Sequence, residues 1–224
     1  MEPRPAATVV VAREAESGIE VLVERRAEAS RFAPGFVVFP GGLLEPGDVA
    51  LATAWFGDVT QRHRAGALRE LYEETGLLLT ASGLRSHPAG EAAAEVRFDA
   101  PEPAALVEIA RWVAPEFLAV RFDAWFFAVL AASGLEASPD GVEIEQAWWA
   151  RPDDVLAASL RGGAPLMWPT LVTLEELGAC ASVSDVLAFR IEQRRPPEPG
   201  EATDGLRGAW QRPESSRSGS HGEP

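Results

Sequence analysis

Residues 68–77 read Leu68-Arg69-Glu70-Leu71-Tyr72-Glu73-Glu74-Thr75-Gly76-Leu77, and this stretch decides how the rest of the chain is read. Glu70, Glu73 and Glu74 are three and four apart, so on a helix all three lie along one face. Like charges at those spacings repel, and a helix gains nothing from the arrangement by itself. A hard divalent cation such as Mg²⁺ or Mn²⁺ cures the repulsion, because it prefers carboxylate oxygens and keeps positions open for water and phosphate. The competing reading is a solvated acidic face, the usual meaning of a charge run. Gly76 ends the helix, which begins near Arg62.

Upstream, Ala7–Val11 and Glu20–Glu24 are two runs rich in β-branched residues around a polar turn at Glu14–Gly18, a hairpin pattern. Phe36–Phe39 is a third strand, broken by Pro40-Gly41-Gly42. Val49–Trp55 reads as a short helix. Downstream, Leu77–Leu79, Ala124–Ala131 and Glu143–Ala150 read as strands. Pro101–Val113 carries Ala105, Leu106, Ile109 and Trp112 near helical spacing. Helices are expected from Arg151, with proline in the first turn, and around Pro169–Leu177 and Ser184–Arg194. Ser182 and Asp185 resemble a capping box for the last of these. Strands and helices mix without strict alternation, which predicts an α/β (α+β mixed) fold, a mixed sheet flanked by helices. One domain is expected over residues 5–194. Residues 195–224, rich in Pro, Gly, Ser, Glu and Arg, read as a disordered tail.

With 224 residues and 46% hydrophobic content the chain can bury a core. No apolar run reaches the length of a membrane span, and the N-terminus lacks the layout of a secretory signal. The formal charge of −14 argues against sequence-independent binding to nucleic acid or to an anionic membrane. All 20 cationic side chains are arginine, whose planar fork suits phosphate. The single cysteine, Cys180, excludes an intrachain disulfide and fits a reducing cytoplasm. It reads as a small buried hydrophobe rather than a nucleophile. His63 and His87 have no partners at ligand spacing and read as surface or helix-start residues. Trp148 and Trp149 are adjacent, so on a strand they face opposite sides, one of them free to line a pocket or stack on a base. Phe32 and Phe36 have the same choice.

The acidic helix has a companion. Gly42, Asp48 after five residues, and then Arg69-Glu70-Leu71-x-Glu73-Glu74-x-Gly76-Leu77 together closely resemble the Nudix box, G-x5-E-x7-R-E-U-x-E-E-x-G-U, where U is a bulky aliphatic residue. The helical half matches at every defined position. Asp48 stands in place of glutamate, and twenty residues separate it from Arg69 where the pattern has seven, about thirteen extra. The interruption leaves open whether Asp48 reaches Arg69. An inserted surface segment costs little thermodynamically, and residues 49–61 are a candidate wall for a substrate.

Resemblance to Nudix proteins implies an α/β/α sandwich with a mixed β-sheet between helices, and metal-dependent hydrolysis of a diphosphate joining a nucleoside to another group. It implies that Glu70, Glu73 and Glu74 hold Mg²⁺ or Mn²⁺, that the Gly41 carbonyl is a backbone ligand, and that Arg69 orients a glutamate through a charge-assisted hydrogen bond. Such ions neutralise phosphate oxygens and make water nucleophilic at neutral pH. The general base is then a helix glutamate, with Glu70 and Glu73 in catalytic roles, or a loop glutamate such as Glu143 or Glu145. Of the latter two Glu143 is favoured, against the alternative that both are outward residues of a strand.

Residues 22–42 sharpen the resemblance. They match L-L-T-x-R-[SA]-x3-R-x3-G-x3-F-P-G-G, the extension found in coenzyme A diphosphatases, from Arg26 onward, and depart from it at Val23 and Glu24. Arg26 and Arg31 would bind phosphates, with Gly42 beside them against the substrate. The interrupted box, Arg121-Phe122-Asp123 and the aromatic run Trp125-Phe126-Phe127 also resemble a peroxisomal subgroup, but the chain ends His221-Gly222-Glu223-Pro224, without a peroxisomal address. Coenzyme A or an acyl-CoA is therefore the leading substrate. ADP-ribose, NADH or a dinucleotide is the alternative, and a non-catalytic nucleotide sensor the third. The intact glutamate set argues against the last. A small nucleotide is the expected partner, with neither nucleic acid nor membrane, and a homodimer is left open.

Overall fold

A computed structural model describes residues 2–87, 93, 99–118, 120–163 and 165–194. The expected tail, with Trp210 and His221, lies outside the described residues. The strands are β1 (Arg4–Glu14), β2 (Ile19–Arg26), β3 (Val37–Val38), β4 (Gly41–Leu43), β5 (Leu77–Thr80), β6 (Gly83–Ser86), β7 (Val107–Val113), β8 (Phe122–Leu130) and β9 (Ile144–Ala150). The helices are α1 (Asp48–Phe56), α2 (Arg62–Thr75), α3 (Pro152–Leu160), α4 (Trp168–Gly178) and α5 (Val183–Ala188). The main sheet is mixed. β1 runs parallel to β8 and every other pairing in it is antiparallel, while β5 and β6 form a hairpin apart from it.

The sheet has apolar residues on both faces, so it needs a cover on both. Val9, Val11, Leu22 and Phe127 point to one side, where Leu68 and Leu71 of α2 pack on them. Val10, Val21, Val23 and Phe126 point to the other, against Val155 of α3, Leu171, Val172 and Leu174 of α4, and Val186 of α5. The expected mixed sheet between helices is what forms. The Glu14–Gly18 turn closes the hairpin through Ala15 N–H to the Gly18 carbonyl. Gly76 adopts φ +66° and donates to the Tyr72 carbonyl, ending α2 where the sequence predicts. The Ser182–Asp185 capping box is present at α5.

β1 and β2 pair only near their shared turn, at residues 12–14 and 19–21, and then part. The chain at residues 37–43 fills the opening: Val37 and Val38 pair with β2, then Gly41, Gly42 and Leu43 pair with β1. Pro40 sits at the crossing, where its carbonyl accepts Val9 N–H at 2.8 Å. Gly41 has φ +152°, and a Cβ there would lie 2.4 Å from the Ala7 carbonyl oxygen, so backbone crowding demands glycine. α2 lies over this split.

Two expectations fail. The Pro101–Val113 segment is not a helix beyond one 3₁₀ turn at Pro103–Ala105, and its latter half is strand β7. The pairing of β7 with β8 slips between Glu108 and Ala110. This bulge buries Ile109 and Ala110 in succession and breaks the alternation that marks a strand. Their spacing with Trp112 then imitates a helix. The last helix is also shorter than Ser184–Arg194: it stops at Ala188 because the chain turns to serve β7. Ile191 N–H donates to the Ile109 carbonyl at 2.7 Å, and the Gln193 side chain bonds both Val113 N–H and its carbonyl.

Leu71 is wholly buried beneath the acidic face of α2. Leu71→Ala is therefore expected to cost about 2–5 kcal/mol in a urea titration, and a loss below about 0.5 kcal/mol, the range of a surface change, would contradict the packing.

Candidate active site

α2 carries apolar residues on one face, Leu68 and Leu71, which fix it to the sheet. This orients Glu70, Glu73 and Glu74 toward the place where β1 and β2 part. The three carboxylates line a cleft of about 1220 Å³, together with Arg69, Gly41, Gly42, Arg26, Arg31 and Glu143. The residues favoured from the sequence as ligands, base and phosphate binders thus share one cleft, although they come from α2, β2, β4 and two loops. Glu145 does not, since it lies exposed on β9.

Arg69 is the organising cation. It is 7% exposed, and its fork grips Asp48 through Nε to Oδ1 at 2.8 Å and Nη2 to Oδ2 at 3.3 Å. Nη2 also donates to the Leu43 carbonyl at 3.1 Å, and Nη1 lies 3.0 Å from both Glu70 and Glu73. Asp48, 1% exposed, in turn accepts Glu45 N–H at 2.7 Å. The shorter carboxylate therefore reaches Arg69 despite the interruption. It can do so because the inserted residues form α1 and a 3₁₀ turn that fold back on α2, with Leu51 and Ala52 against Ala65. The insertion is a buttress. None of residues 49–61 lines the cleft, which corrects the expectation that they form a substrate wall.

Glu74 is buried, and its Oε2 accepts Gly41 N–H at 2.7 Å. Gly42 makes room for Glu70: a Cβ at Gly42 would fall 2.5 Å from Glu70 Oε1. Burial pushes Glu70 up to about 7, against the pull of Arg69. Burial also raises Glu74 well above the ordinary carboxylate range, helped by the charges of Glu24 and Glu70. Glu73, 42% exposed at its side chain, sits at the mouth.

On the far side of the cleft, Arg26 donates from Nε to the Phe32 carbonyl at 3.1 Å and reaches 4.0 Å from Glu74 and 3.9 Å from Glu143. Glu143 projects from a loop just before β9. The Asp140 carboxylate pins that loop by accepting Val142, Glu143 and Ile144 N–H groups, and Asp140 N–H joins the loop to the Glu74 carbonyl. Arg31 stands exposed on the loop between β2 and β3. Next to these polar groups the wall turns apolar, with Phe32, Phe36, Trp112, Phe122, Phe126 and Trp168. Phe32 and Phe36 thus line the cleft. Trp148 and Trp149 do not, because they pack on opposite faces of the sheet.

One buried acid was not singled out from the sequence. Glu24, on β2, has no exposed surface, and neither carboxylate oxygen meets a hydrogen-bond donor. Its neighbour is the Glu74 carboxyl, and burial raises Glu24 to about 8. Its signal in the sequence was slight: a glutamate that directly follows the apolar run Val21–Val23 of β2. Glu24, Glu70, Glu73, Glu74 and Asp48 together face two guanidinium groups, Arg26 and Arg69. The donors are all oxygens and negative charge is in excess, which suits a hard divalent cation. The carboxylates nearest Arg69 are drawn onto it rather than onto one another, and among the described residues no three acidic, histidine or cysteine side chains already enclose a point.

No family model matches the chain. The crystal structure of a NUDIX hydrolase from Alicyclobacillus acidocaldarius is 33% identical and superposes with a TM-score of 0.73, covering 86% of this chain and 99% of that one. A Caenorhabditis elegans protein provisionally named nudix hydrolase 7 is 36% identical over 80 residues, 36% of this chain. That match spans only 24% of the worm protein's length.

The Asp48–Arg69 pair yields a prediction. Asp48→Ala leaves a buried guanidinium short of a partner, which is expected to cost on the order of 3 kcal/mol in chemical denaturation. A change below about 0.5 kcal/mol, the size of a surface substitution, would mean that the pair does not tie the loop to α2.

Proposed function

The chain belongs to the Nudix hydrolase family, and from that premise we propose that it is a divalent-metal-dependent diphosphatase acting on coenzyme A or an acyl-CoA. The observation that carries the metal reading is the pairing of the buried Glu74 with Gly41 N–H while Glu70 lies against Gly42, so that helix and glycine turn meet at one point. In this reading Glu70, Glu73, Glu74 and the Gly41 carbonyl hold Mg²⁺ or Mn²⁺, and residues 5–194 are the catalytic unit. Bound ions would neutralise the diphosphate oxygens and lower the pKa of an attacking water.

The protein's own side chains have distinct tasks. Arg69 fixes the rotamers of Glu70 and Glu73 and holds the glycine turn against α2. Arg26 and Arg31 take phosphate oxygens, and Gly42 lets the substrate approach the backbone. Glu143 is the general base, on a loop held in place by Asp140. The apolar wall beside the arginines favours a substrate with a long, partly apolar arm over a compact nucleotide, which supports the coenzyme A reading. Among the described residues no helix is long and apolar enough to cross a membrane. Cys180 is the single cysteine and is free, which accords with a reducing compartment, and the reading includes action in the cytoplasm.

One assay tests both levels. Coenzyme A, acyl-CoAs, ADP-ribose, NADH and dinucleoside polyphosphates are incubated with Mg²⁺ or Mn²⁺, and products are read by mass spectrometry. Coenzyme A compounds are expected to yield an adenosine bisphosphate and a phosphopantetheine product, with Glu73→Gln and Glu74→Gln each at least about a hundredfold slower. Unchanged turnover in both variants would sink the metal assignment. Turnover of ADP-ribose with coenzyme A untouched would sink the substrate assignment alone.

A further inference from the structure

Glu24 has no role in the reading above, and its surroundings demand one. It is a carboxyl of zero exposure on a central strand, with no backbone N–H or cationic donor on either oxygen and the Glu74 carboxyl facing it. Buried acids are normally hydrogen-bonded or paired with charge, because desolvation heavily penalises the ionised form. Glu24 has one cation nearby, Arg26, and that guanidinium is already shared with Glu74 and Glu143. The charges of Asp140 and Glu70 oppose its ionisation, and the group that faces it directly is the Glu74 carboxyl. Ionised, the carboxyl needs a further positive charge; without one it must hold a proton against Glu74.

Its position gives the carboxyl a use. Glu24 pairs across the strands with Val38, three residues before Gly41, so it lies at the edge of the split that the glycine turn fills. Leu22, two residues earlier on the same strand, packs in the core beneath α2, and strand alternation sends Glu24 to that same side. The Glu74 carboxyl comes down from the helix to meet it.

We propose that Glu24 is a metal ligand, a carboxylate from the sheet that faces Glu74 and joins the helix glutamates around a divalent cation. The inference rests on the metal reading above and extends it to a residue outside the helix and the glycine turn. Glu24 is one of the positions at which residues 22–42 depart from the extension pattern, which has threonine there. A bound dication supplies the missing countercharge and converts two mutually repelling buried acids into a shared pair of ligands. The opposing account is that Glu24 and Glu74 share a proton and no metal touches Glu24.

The test is Mn²⁺ binding to the metal-free full-length chain, followed by electron paramagnetic resonance and calorimetry, with melting temperature recorded with and without Mn²⁺. Wild type, Glu24→Gln, Glu24→Thr and Glu74→Gln are compared. Glu24→Gln is expected to fold, to melt no lower than wild type without metal, and to bind Mn²⁺ at least tenfold more weakly or with one ion fewer. Its melting temperature should respond less to Mn²⁺. Glu24→Thr, which installs the pattern's residue, should show the same loss and decides the matter if the glutamine variant does not fold. If both bind Mn²⁺ like wild type while Glu74→Gln does not, the inference is wrong and the metal reading survives. If wild type itself binds no Mn²⁺, both fall.

Discussion

A guanidinium buried among carboxylates is stable only if its donors are satisfied in the geometry its plane dictates, and Arg69 meets that condition with Asp48, Leu43, Glu70 and Glu73 together. Burial opposes the charge, yet the hydrogen bonds to Asp48 and the charges of Glu70 and Asp48 outweigh it and hold Arg69 above its ordinary pKa. The consequence is mechanical. The loop after the glycine turn and the acidic face of α2 cannot move independently, because each supplies acceptors to the same fork. Past Asp48 the inserted residues lie outside this knot and pack on α2 through Leu51 and Ala52, which is how thirteen extra residues leave the site intact.

The sheet supplies the second constraint. Two neighbouring strands that part leave unpaired backbone groups on both, and a buried sheet cannot leave them so. The residue 37–43 segment repairs the gap by serving β2 first and β1 afterwards. At the crossing the backbone runs so close to Ala7 and Thr8 that only glycine fits at Gly41. The same crossing offers the Gly41 N–H to Glu74. A fold requirement and a site requirement thus meet in one residue. The excess of carboxylate over guanidinium around this point is the electrostatic cost of the arrangement, and the proposed cation offsets it.

Much of this was legible in the residues. The spacing of Glu70, Glu73 and Glu74 placed them on one face, Gly76 marked the helix end, and the glycine turn announced the break in the strand. A mixed sheet flanked by helices followed from the order of patterns, and its place between two helical layers from the family resemblance. What escaped was whatever depends on tertiary register. The bulge at Ile109 hid β7 behind a false helical period. The end of α5 was set by hydrogen bonds to β7, which no local propensity reports. Asp48 could be joined to Arg69 only once the insertion was seen to fold aside. Glu24 escaped because its meaning lies in being buried beside Glu74, fifty residues away in sequence.

The central claim is that the split between β1 and β2, roofed by α2, is a divalent-cation site. The most direct measurement is anomalous diffraction from crystals of the chain soaked in Mn²⁺. The account predicts a strong peak bounded by Glu70, Glu74, the Gly41 backbone and Glu24, with Glu73 at its open side. Mn²⁺ bound only on the outer surface, with Glu74 still held on Gly41 N–H and the split empty of density, would contradict it.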